Sequence, residues 1–573
     1  MTDVPQTDPA LLDALRLDLD QAGYSVAGVE DLLGPVASAA LHREEPVPAL
    51  RATAATDDAR AALVRAFVLG VEVARSALDR ALGTLGTDGA ARLGLVEAAG
   101  SGADDPVRAR VDLRPYSALD GAGPVDWWIA SDLGELATGR ALRTDHVLGV
   151  GGASTTLAQV TVREPRGRVL DLGTGCGIQA LHASRHADTV LGTDISRRAL
   201  AFARFNATLA GLTPQRLELR AGSMLAPVAG ELFDLVVSNP PFVITPRGGR
   251  GDGSEGAGTS PAMPRYEYRD GGRTGDAIVQ ELVEGVGAVL APGGTAQLLG
   301  NWEVRRGEEW HERLGGWLAA SGLDGWVVQR ELQDPAQYAE TWIRDGGTTP
   351  DRERDAWAER YGAWLDDFAA RDVAAIGFGI LTLRRPGTQD AGRVDRVPLR
   401  RLEEITGSVR QPLGPAIAAS LAAHDWLAAR PDDELARAAG RRGRRDRGAL
   451  PHPGRRGPPG GAAAPGRRLR PDRAGGHRAR RAGRCLRRRA HGGPDRRRAG
   501  RAARRGGGRR RARRAARGAR PGARRAAPPG RLTARPAQFP RRGRLLIGQP
   551  QARATAGPVS LPTFGRGRTS PRS

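Results

Sequence analysis

The chain has 573 residues and a formal net charge of +23, a length that allows several domains and a charge that suggests a nucleic-acid partner. The positive charge lies at one end: residues 441–573 contain 42 Arg and 3 Asp, which leaves residues 1–440 at about −16. No run of about 18 apolar residues occurs, so we expect no transmembrane helix. The acidic N-terminus is unlike a secretory signal, and Cys176 and Cys485 lie far apart, so we expect a cytoplasmic protein without a disulfide.

Residues 1–105 predict a mainly helical domain. The segment DPALLDALRLDLDQAGY starts with Asp-Pro and repeats leucine at helical spacing, and two shorter helical segments follow it. Residues 106–160 predict connecting strands at 108–119 and 125–133, then a Gly-rich loop at 146–155. Short helices before strands are compatible with a winged-helix module, used either for nucleic-acid binding or for packing and dimerisation. Packing is favoured because no helix face is basic.

From Arg168 onward, apolar strands alternate with helical segments. This alternation predicts an α/β domain at 161–390 with a doubly wound, Rossmann-like parallel sheet and a ligand at the carboxyl edge of its strands. Two extra helices, aromatic and acidic, interrupt the pattern at 335–372; such an insertion either shapes substrate choice or only covers the sheet. Residues 391–437 predict a C-terminal helical segment.

The tail at 438–573 consists almost entirely of Arg, Gly, Pro and Ala, without helical or strand periodicity, and predicts a disordered segment. Two origins of the tail are open. A basic arm would bind polyanions such as RNA. Out-of-frame translation of a GC-rich gene would give the same composition, and this second origin is favoured because the chain contains no lysine at all, as expected of such a gene.

A Gly-rich loop follows the first predicted strand of the α/β domain. In DLGTGCG, Asp171 lies at the strand end, and Gly173, Gly175 and Gly177 let a ligand approach the backbone closely. The G-x-G-x-G spacing differs from that of dinucleotide sites and is a weak signal alone. Asp194 ends the second strand, where a carboxylate can accept hydrogen bonds from two ribose hydroxyls. Capping of the next helix is the alternative role, but a nearby serine can supply that cap.

A third motif, SNPPF, places Asn239 directly after a buried strand and two prolines before Phe242. DLGTGCG, Asp194 and SNPPF, in this order and at these intervals, resemble the motifs of class I S-adenosylmethionine-dependent methyltransferases of the small-methyltransferase group. That group includes release-factor glutamine methyltransferases and ribosomal RNA guanine-N2 methyltransferases. The resemblance covers residues 168–302, and YEYRDGGRTGDAIVQELV is similar to a helix start of the glutamine enzymes.

The resemblance implies S-adenosylmethionine as the cofactor. Its binding residues would be Asp171, Gly173, Gly175, Gly177, Asp194 and Ser223. At Ser223 the chain departs from the family, which often has an acidic residue nearby for the adenine amino group. A serine hydroxyl can still form that hydrogen bond, although less firmly.

The resemblance also implies where chemistry takes place. In such enzymes the Asn-Pro-Pro-aromatic motif receives a planar NH₂ group, whose delocalised lone pair makes it a poor nucleophile. The Asn239 side-chain oxygen accepts one N–H and the Pro240 carbonyl accepts the other, which aims the nitrogen lone pair at the methyl group. Pro241 stiffens the turn and Phe242 stacks on the acceptor. We therefore expect Asn239, Pro240 and Phe242 to be catalytic, and Pro241 and Phe242 to contact substrate.

Three functions remain after these motifs: methylation of a nucleobase amine in RNA or DNA, N5-methylation of a protein glutamine, and cofactor binding without catalysis. The sequence interpretation prefers the nucleobase, because the N-terminal module and the insert are foreign to the glutamine enzymes, although the acidic body disfavours a large nucleic-acid footprint. No metal is expected. His182 and His186 lie four residues apart on one predicted helix without a glutamate between them, and we expect both to face solvent.

Overall fold

The computed structural model describes residues 4–120, 122–140, 142–246, 265–388, 397–430, 433–435 and 437. The disorder predicted for the tail at 438–573, and its two alternative origins, therefore lie outside the described residues. Within the described ranges, no helix combines the length and apolar character needed to cross a membrane.

The described N-terminal residues form short helices and a small sheet. The helices are α1 (Pro9–Gln21), α2 (Val26–Leu41), α3 (Val47–Ala54), α4 (Ala59–Leu63, followed by a π-helical turn at Val64–Val68), α5 (Arg75–Ala81) and α6 (Gly86–Arg92). The strands are β1 (Val73–Ala74), β2 (Val96–Ala98) and β3 (Pro106–Ala109). Helix α1 starts as predicted, because the Asp8 carboxylate accepts hydrogen bonds from the N–H groups of Ala10 and Leu11.

The small sheet has the antiparallel order β1-β3-β2. Taken with the chain order α4-β1-α5-α6-β2-β3, this arrangement leads us to infer a winged-helix topology, with α6 in the place of a recognition helix. Helix α6 packs against α1, and its Asp88 forms an ion pair with Arg75 of α5. Because β3 pairs with both other strands, the unit extends to Ala109, beyond the boundary predicted at residue 105.

A β-hairpin and two helices connect this unit to the α/β domain: β4 (Asp112–Asp120), β5 (Gly123–Ser131), α7 (Glu135–Thr138) and α8 (Gly152–Val160). The predicted strands at 108–119 and 125–133 correspond to parts of β3, β4 and β5. The loop predicted at 146–155 ends early, because α8 begins at Gly152.

The α/β domain contains one large sheet. Its elements, in chain order, are β6 (Arg166–Leu172), α9 (Ile178–Ala183), β7 (Ala187–Asp194), α10 (Arg197–Leu209), β8 (Leu217–Ala221), β9 (Phe233–Ser238), α11 (Ala277–Gly285), β10 (Leu290–Arg305), α12 (Trp310–Ser321), β11 (Asp324–Gln333), α13 (Pro335–Asp345), α14 (Arg354–Ala370), β12 (Val373–Arg384), β13 (Arg400–Glu404) and α15 (Gly414–Ala428). Short 3₁₀ turns lie at Ala226–Val228 and Val286–Val289.

The strand order of the large sheet is β13-β11-β12-β10-β9-β6-β7-β8. Strands β8, β7, β6, β9 and β10 are parallel, and β12 runs antiparallel between β10 and β11. The predicted doubly wound, Rossmann-like class is confirmed, and the strand order reverses between β6 and β9. The predicted insert helices are α13 and α14. The segment at 391–437 is not only helical, because β13 adds a parallel edge strand to β11 before α15.

The N-terminal helices pack directly on the α/β domain. One buried apolar cluster runs from Leu12 and Leu15 of α1 to Phe202 and Phe205 of α10. The Arg16 guanidinium donates to the carbonyl oxygens of Thr208 and Leu209, each at 3.0 Å, and so satisfies acceptors at the C-terminus of α10. The N-terminal unit therefore shares a buried apolar core with the α/β domain.

Candidate active site

A cavity of about 410 Å³ lies where the strand order reverses, at the carboxyl ends of β6, β7 and β9. Its volume is within the range of small-molecule sites. Most of the predicted site residues line it: Gly173, Gly175, Asp194, Ser223, Asn239, Pro240, Pro241 and Phe242. The topology thus brings together three motifs that are separated by up to about 70 residues of chain.

Asp171 is not among the residues that line the cavity. Its side chain is buried beneath the loop, where one carboxylate oxygen accepts from the Thr174 hydroxyl at 2.6 Å and from the Ala180 N–H at 2.8 Å. Burial raises the pKa of Asp171 to about 7. The cofactor contact predicted for Asp171 is therefore replaced by a positioning role, since its carboxylate fixes the loop to the start of α9.

Gly177 also lies outside the cavity wall, and its role is helix packing. Its φ is +87°, and a Cβ at this position would lie 3.2 Å from the Cα of Ala203 on α10. Gly173 and Gly175 differ from it. Their φ values are +72° and +55°, and a Cβ on either would meet no atom within 4 Å. These two glycines therefore expose backbone to open space that a ligand can fill.

Asp194 ends β7 and holds the loop while facing the cavity. One of its oxygens accepts from the Gly175 N–H and the other from the Ser196 N–H, each at 2.9 Å. Burial raises the pKa of the carboxyl. A carboxylate has about four lone-pair sites, so roughly two remain for hydroxyl donors. As predicted, Ser196 rather than Asp194 caps α10, with its side chain accepting from the Ala199 N–H.

Asn239 lines the cavity, and its buried side-chain oxygen, Oδ1, has no hydrogen-bond partner among the described residues. The turn that holds it is rigid: the preceding Ser238 donates to the Leu172 carbonyl at 2.7 Å, and Pro240 is buried. Since a buried polar atom is normally paired, an unpaired acceptor in a cavity wall is suited to receive an N–H donor from a bound molecule.

The sequence interpretation did not single out several residues that complete the cavity wall: His146, Glu267, Tyr268, Arg269, Asp270, Trp342 and Asp345. The Arg269 guanidinium lies within 4.5 Å of the Tyr266 ring centroid and forms an ion pair with Asp345. Tyr268 donates to Asp345 at 2.8 Å. The segments that carry these residues did give a signal in the sequence, namely the loop at 146–155, YEYRDGG and the aromatic and acidic insert at 335–372, but their contacts gave none. The contacts of Tyr268 and Arg269 with the insert join parts of the chain about 75 residues apart.

The expectation that His182 faces solvent is wrong. His182 lies on α9 and is fully buried against the hairpin, with Nδ1 2.8 Å from Asp120 and Nε2 2.9 Å from the Tyr116 hydroxyl. Burial lowers its pKa to about 4, and burial likewise lowers that of the half-buried His186 to about 4. No cluster of three or more potential metal-ligating side chains occurs within the described part of the chain.

Comparison with known families agrees with this geometry. Residues 149–247 match the model of the methyltransferase small domain. This segment belongs to that family. The small-methyltransferase segment includes the Gly-rich loop, Asp194 and the SNPPF turn, and residues 21–110 match a domain of unknown function (DUF7059). The residues present fit S-adenosylmethionine, because open backbone at Gly173 and Gly175 lies beside a carboxylate with free acceptor sites.

Two named relatives each match about a third of the chain. The release factor glutamine methyltransferase of Rhodospirillum rubrum is 32% identical over 195 residues, 33% of this chain and 55% of that protein. The ribosomal protein uL3 glutamine methyltransferase of Bradyrhizobium diazoefficiens is 31% identical over 200 residues, 33% of this chain and 59% of that protein. The chain thus spans little more than half the length of these relatives. The solved ribosomal protein L11 methylase of Lactobacillus delbrueckii subsp. bulgaricus is 19% identical, with a TM-score of 0.22, covering 41% of this chain and 77% of that chain.

Proposed function

We propose that this chain transfers a methyl group from S-adenosylmethionine to the side-chain amide nitrogen of a glutamine in a protein. The observation that carries the proposal is the buried, unpartnered Asn239 Oδ1 in the wall of the cavity that also contains Gly175 and Asp194. A primary amide supplies the N–H donor that this oxygen lacks. The site therefore has a place for a planar NH₂ group beside the place for the cofactor.

Different residues of the chain bind the cofactor and orient the substrate. S-adenosylmethionine, when bound, supplies an electrophilic methyl group on a sulfonium. Asp194 holds ribose hydroxyls, and the Gly173 and Gly175 backbone allows close approach. Asn239 Oδ1 and the Pro240 carbonyl accept hydrogen bonds from the two N–H groups of the substrate amide, and these bonds orient the nitrogen lone pair. Phe242 stacks on the amide plane. No strong base is needed, because the nitrogen becomes acidic once methylated.

Two observations favour glutamine over the nucleobase that the sequence interpretation preferred. The relatives described above are named for glutamine in release factor and in ribosomal protein uL3. The charged residues of the cavity wall are also predominantly acidic: Asp194, Glu267, Asp270, Glu281 and Asp345 against Arg269 and Arg273. Such a wall repels the phosphates of a nucleic acid, which bind to proteins through Lys and Arg.

The third function, cofactor binding without catalysis, leaves the buried Asn239 Oδ1 unexplained. A module that only holds a nucleoside would need Asp194 and the Gly-rich loop, but no acceptor beyond them. Leaving a buried acceptor unpaired costs about 1–3 kcal/mol, which is readily explained where a substrate satisfies it.

The test is to follow the methyl group. The full chain is incubated with cofactor carrying a labelled methyl group and with separate protein, RNA and DNA fractions. We expect label in the protein fraction, recovered as N5-methylglutamine after enzymatic digestion. Label in RNA or DNA would replace glutamine by a nucleobase, and cofactor binding without label in any fraction would leave only the binding function.

A further inference from the structure

The insert helices α13 and α14 form part of the active-site wall. Trp342 and Asp345 of α13 line the same cavity as Asn239 and Phe242. Tyr338, Trp342, Trp364 and Phe368 form a buried apolar cluster with Ile376 and Phe378 of β12, and Phe242 packs against it. The insert therefore reaches the SNPPF turn instead of only covering the sheet.

A hydrogen-bond chain links the insert to the segment that follows SNPPF. The Tyr338 hydroxyl is fully buried, accepts from the Ile244 N–H at 3.0 Å, and accepts from the Asn301 side-chain NH₂ at 2.7 Å. Trp342 is one helical turn further along α13, and its ring centroid is 5.9 Å from that of Tyr338. The indole is thus held in a fixed place relative to the SNPPF turn.

Trp342 has a polar atom without a partner. The side chain is 6% exposed, and within the described ranges its Nε1–H finds no acceptor. Arg269 fixes the residue from the other side, since its guanidinium donates to the Trp342 carbonyl at 2.9 Å and lies 5.7 Å from the ring centroid. Trp342 lines the cavity, and a ligand atom that accepts a hydrogen bond would satisfy its buried Nε1–H, as an N–H donor would satisfy the buried Oδ1 of Asn239.

We propose that Trp342 is a specificity-determining residue whose Nε1–H donates a hydrogen bond to the carbonyl oxygen of the acceptor amide. The inference rests on the proposed function. A primary carboxamide has two N–H donors and one carbonyl acceptor, and Asn239 and Pro240 account only for the donors. Trp342 supplies the donor for the remaining oxygen. The insert thereby selects an NH₂ group that is bonded to a carbonyl carbon, and the hydrogen bond orients the amide.

A matched pair of tryptophans makes this testable. Trp364 on α14 is 1% exposed and also has a buried Nε1–H without a partner among the described residues, but it does not line the cavity. The full chain is assayed with S-adenosylmethionine and a pool of end-blocked peptides that carry glutamine between randomised flanks. Trp342→Phe keeps the aromatic ring and should raise the apparent KM for the peptides about tenfold, with kcat within about twofold and cofactor affinity unchanged. Trp364→Phe should leave the peptide KM unchanged.

The outcomes separate this inference from the proposed function. If the wild-type chain methylates the peptides and Trp342→Phe keeps a normal KM, the inference alone is overturned. The same holds if Trp364→Phe raises the KM as much as Trp342→Phe does. Wild-type chain that methylates neither peptides nor protein overturns the proposed function, and the inference falls with it. A measurement on wild type guards against a misfolded variant: adding peptides with S-adenosylhomocysteine should shift the indole N–H resonance of Trp342 downfield and leave that of Trp364 in place. An unmoved Trp342 resonance contradicts the inference.

Discussion

Asp194 ends β7 and Asn239 follows β9, the two strands that flank β6, and we expect substitution of these residues to affect different steps of the reaction. Asp194→Ala removes a carboxylate that holds the Gly175 N–H and has acceptor sites left for ribose. Affinity for S-adenosylmethionine should fall by roughly 1–3 kcal/mol, the value of charge-assisted hydrogen bonds. Titration calorimetry measures the loss, and Asp188→Ala, at an exposed position of the same strand, is the control. Unchanged affinity in folded Asp194→Ala would remove the cofactor role.

Asn239→Ala should separate binding from chemistry. The substitution deletes the unpartnered Oδ1 but leaves the Gly-rich loop and Asp194 intact. Cofactor affinity should therefore stay within about twofold, while turnover falls by about 10²-fold or more, as expected when a positioned acceptor is lost. Single-turnover kinetics with saturating cofactor measure the effect. Near-normal turnover would reduce the SNPPF motif to a strand-ending turn.

The buried Asp171 gives the stability a defined pH dependence. Its folded-state pKa is raised to about 7, chiefly by burial, so its contribution to stability is complete below the unfolded pKa of about 3.9 and is lost as pH rises through 7. In Asp171→Asn, one amide oxygen can accept both bonds now made by a single carboxylate oxygen. Between pH 5 and pH 8, the free energy of unfolding of the variant should rise by on the order of 2 kcal/mol relative to that of the wild type. Denaturant unfolding at both pH values checks this, and a gain toward acid pH would contradict it.

Helices α9 and α10 meet at a glycine that differs from its neighbours in the loop. Gly177→Ala and Gly175→Ala both place a side chain at positive φ, which costs about 1 kcal/mol. Only at Gly177 would the new Cβ press on the α10 backbone, so this variant should lose stability by about 1–3 kcal/mol more. Gly175→Ala should instead weaken cofactor binding, because its Cβ points into open cavity space. Thermal unfolding and calorimetry on both variants test the pair, and equal stability loss would contradict the packing role of Gly177.

The insert and the edge strand show how elements acquire a role through their neighbours. Helices α13 and α14 follow from the sequence pattern, but their place beside Asn239 depends on the contact of Tyr338 with Ile244, 94 residues earlier. Strand β13 is short and carries charged residues at four of its five positions, so periodicity gives no sign of it. It forms because β11 has a free edge with which it can pair.

At the scale of the whole molecule, the acidic body and the basic tail should be separable. The described fold ends at residue 437, and α15 packs through Ile417 and Leu421 onto the cluster that contains Leu157 of α8. A chain that ends at Arg437 should therefore bind S-adenosylmethionine with the affinity of the full chain. It should lose salt-sensitive binding to polyanions, because 42 of the 87 arginines lie in residues 441–573.

Two measurements separate the origins of the tail. Resequencing the gene near codon 440 should reveal a one-base difference if the tail is translated out of frame. A tail that changes which protein or RNA is methylated, together with an unchanged gene sequence, would make it a substrate-recruiting arm. Weaker cofactor binding by the shortened chain would contradict the independence of the core.

The sequence by itself determined the doubly wound class, the Gly-rich loop and the SNPPF turn, because each depends on local order, and the resemblance of these motifs to a known family implied the cofactor. Strand and helix periodicity, and glycine at positions that need positive φ, are readable from adjacent residues. The tertiary structure decided which of these residues face the cavity. Asp171 and Gly177 lie outside the cavity wall, and His182 is buried against Asp120. Trp342 lines the cavity although it is more than 100 residues after Asn239 in the chain. Burial and long-range pairing set these outcomes, since they depend on contacts between segments whose spacing along the chain carries no signal of them.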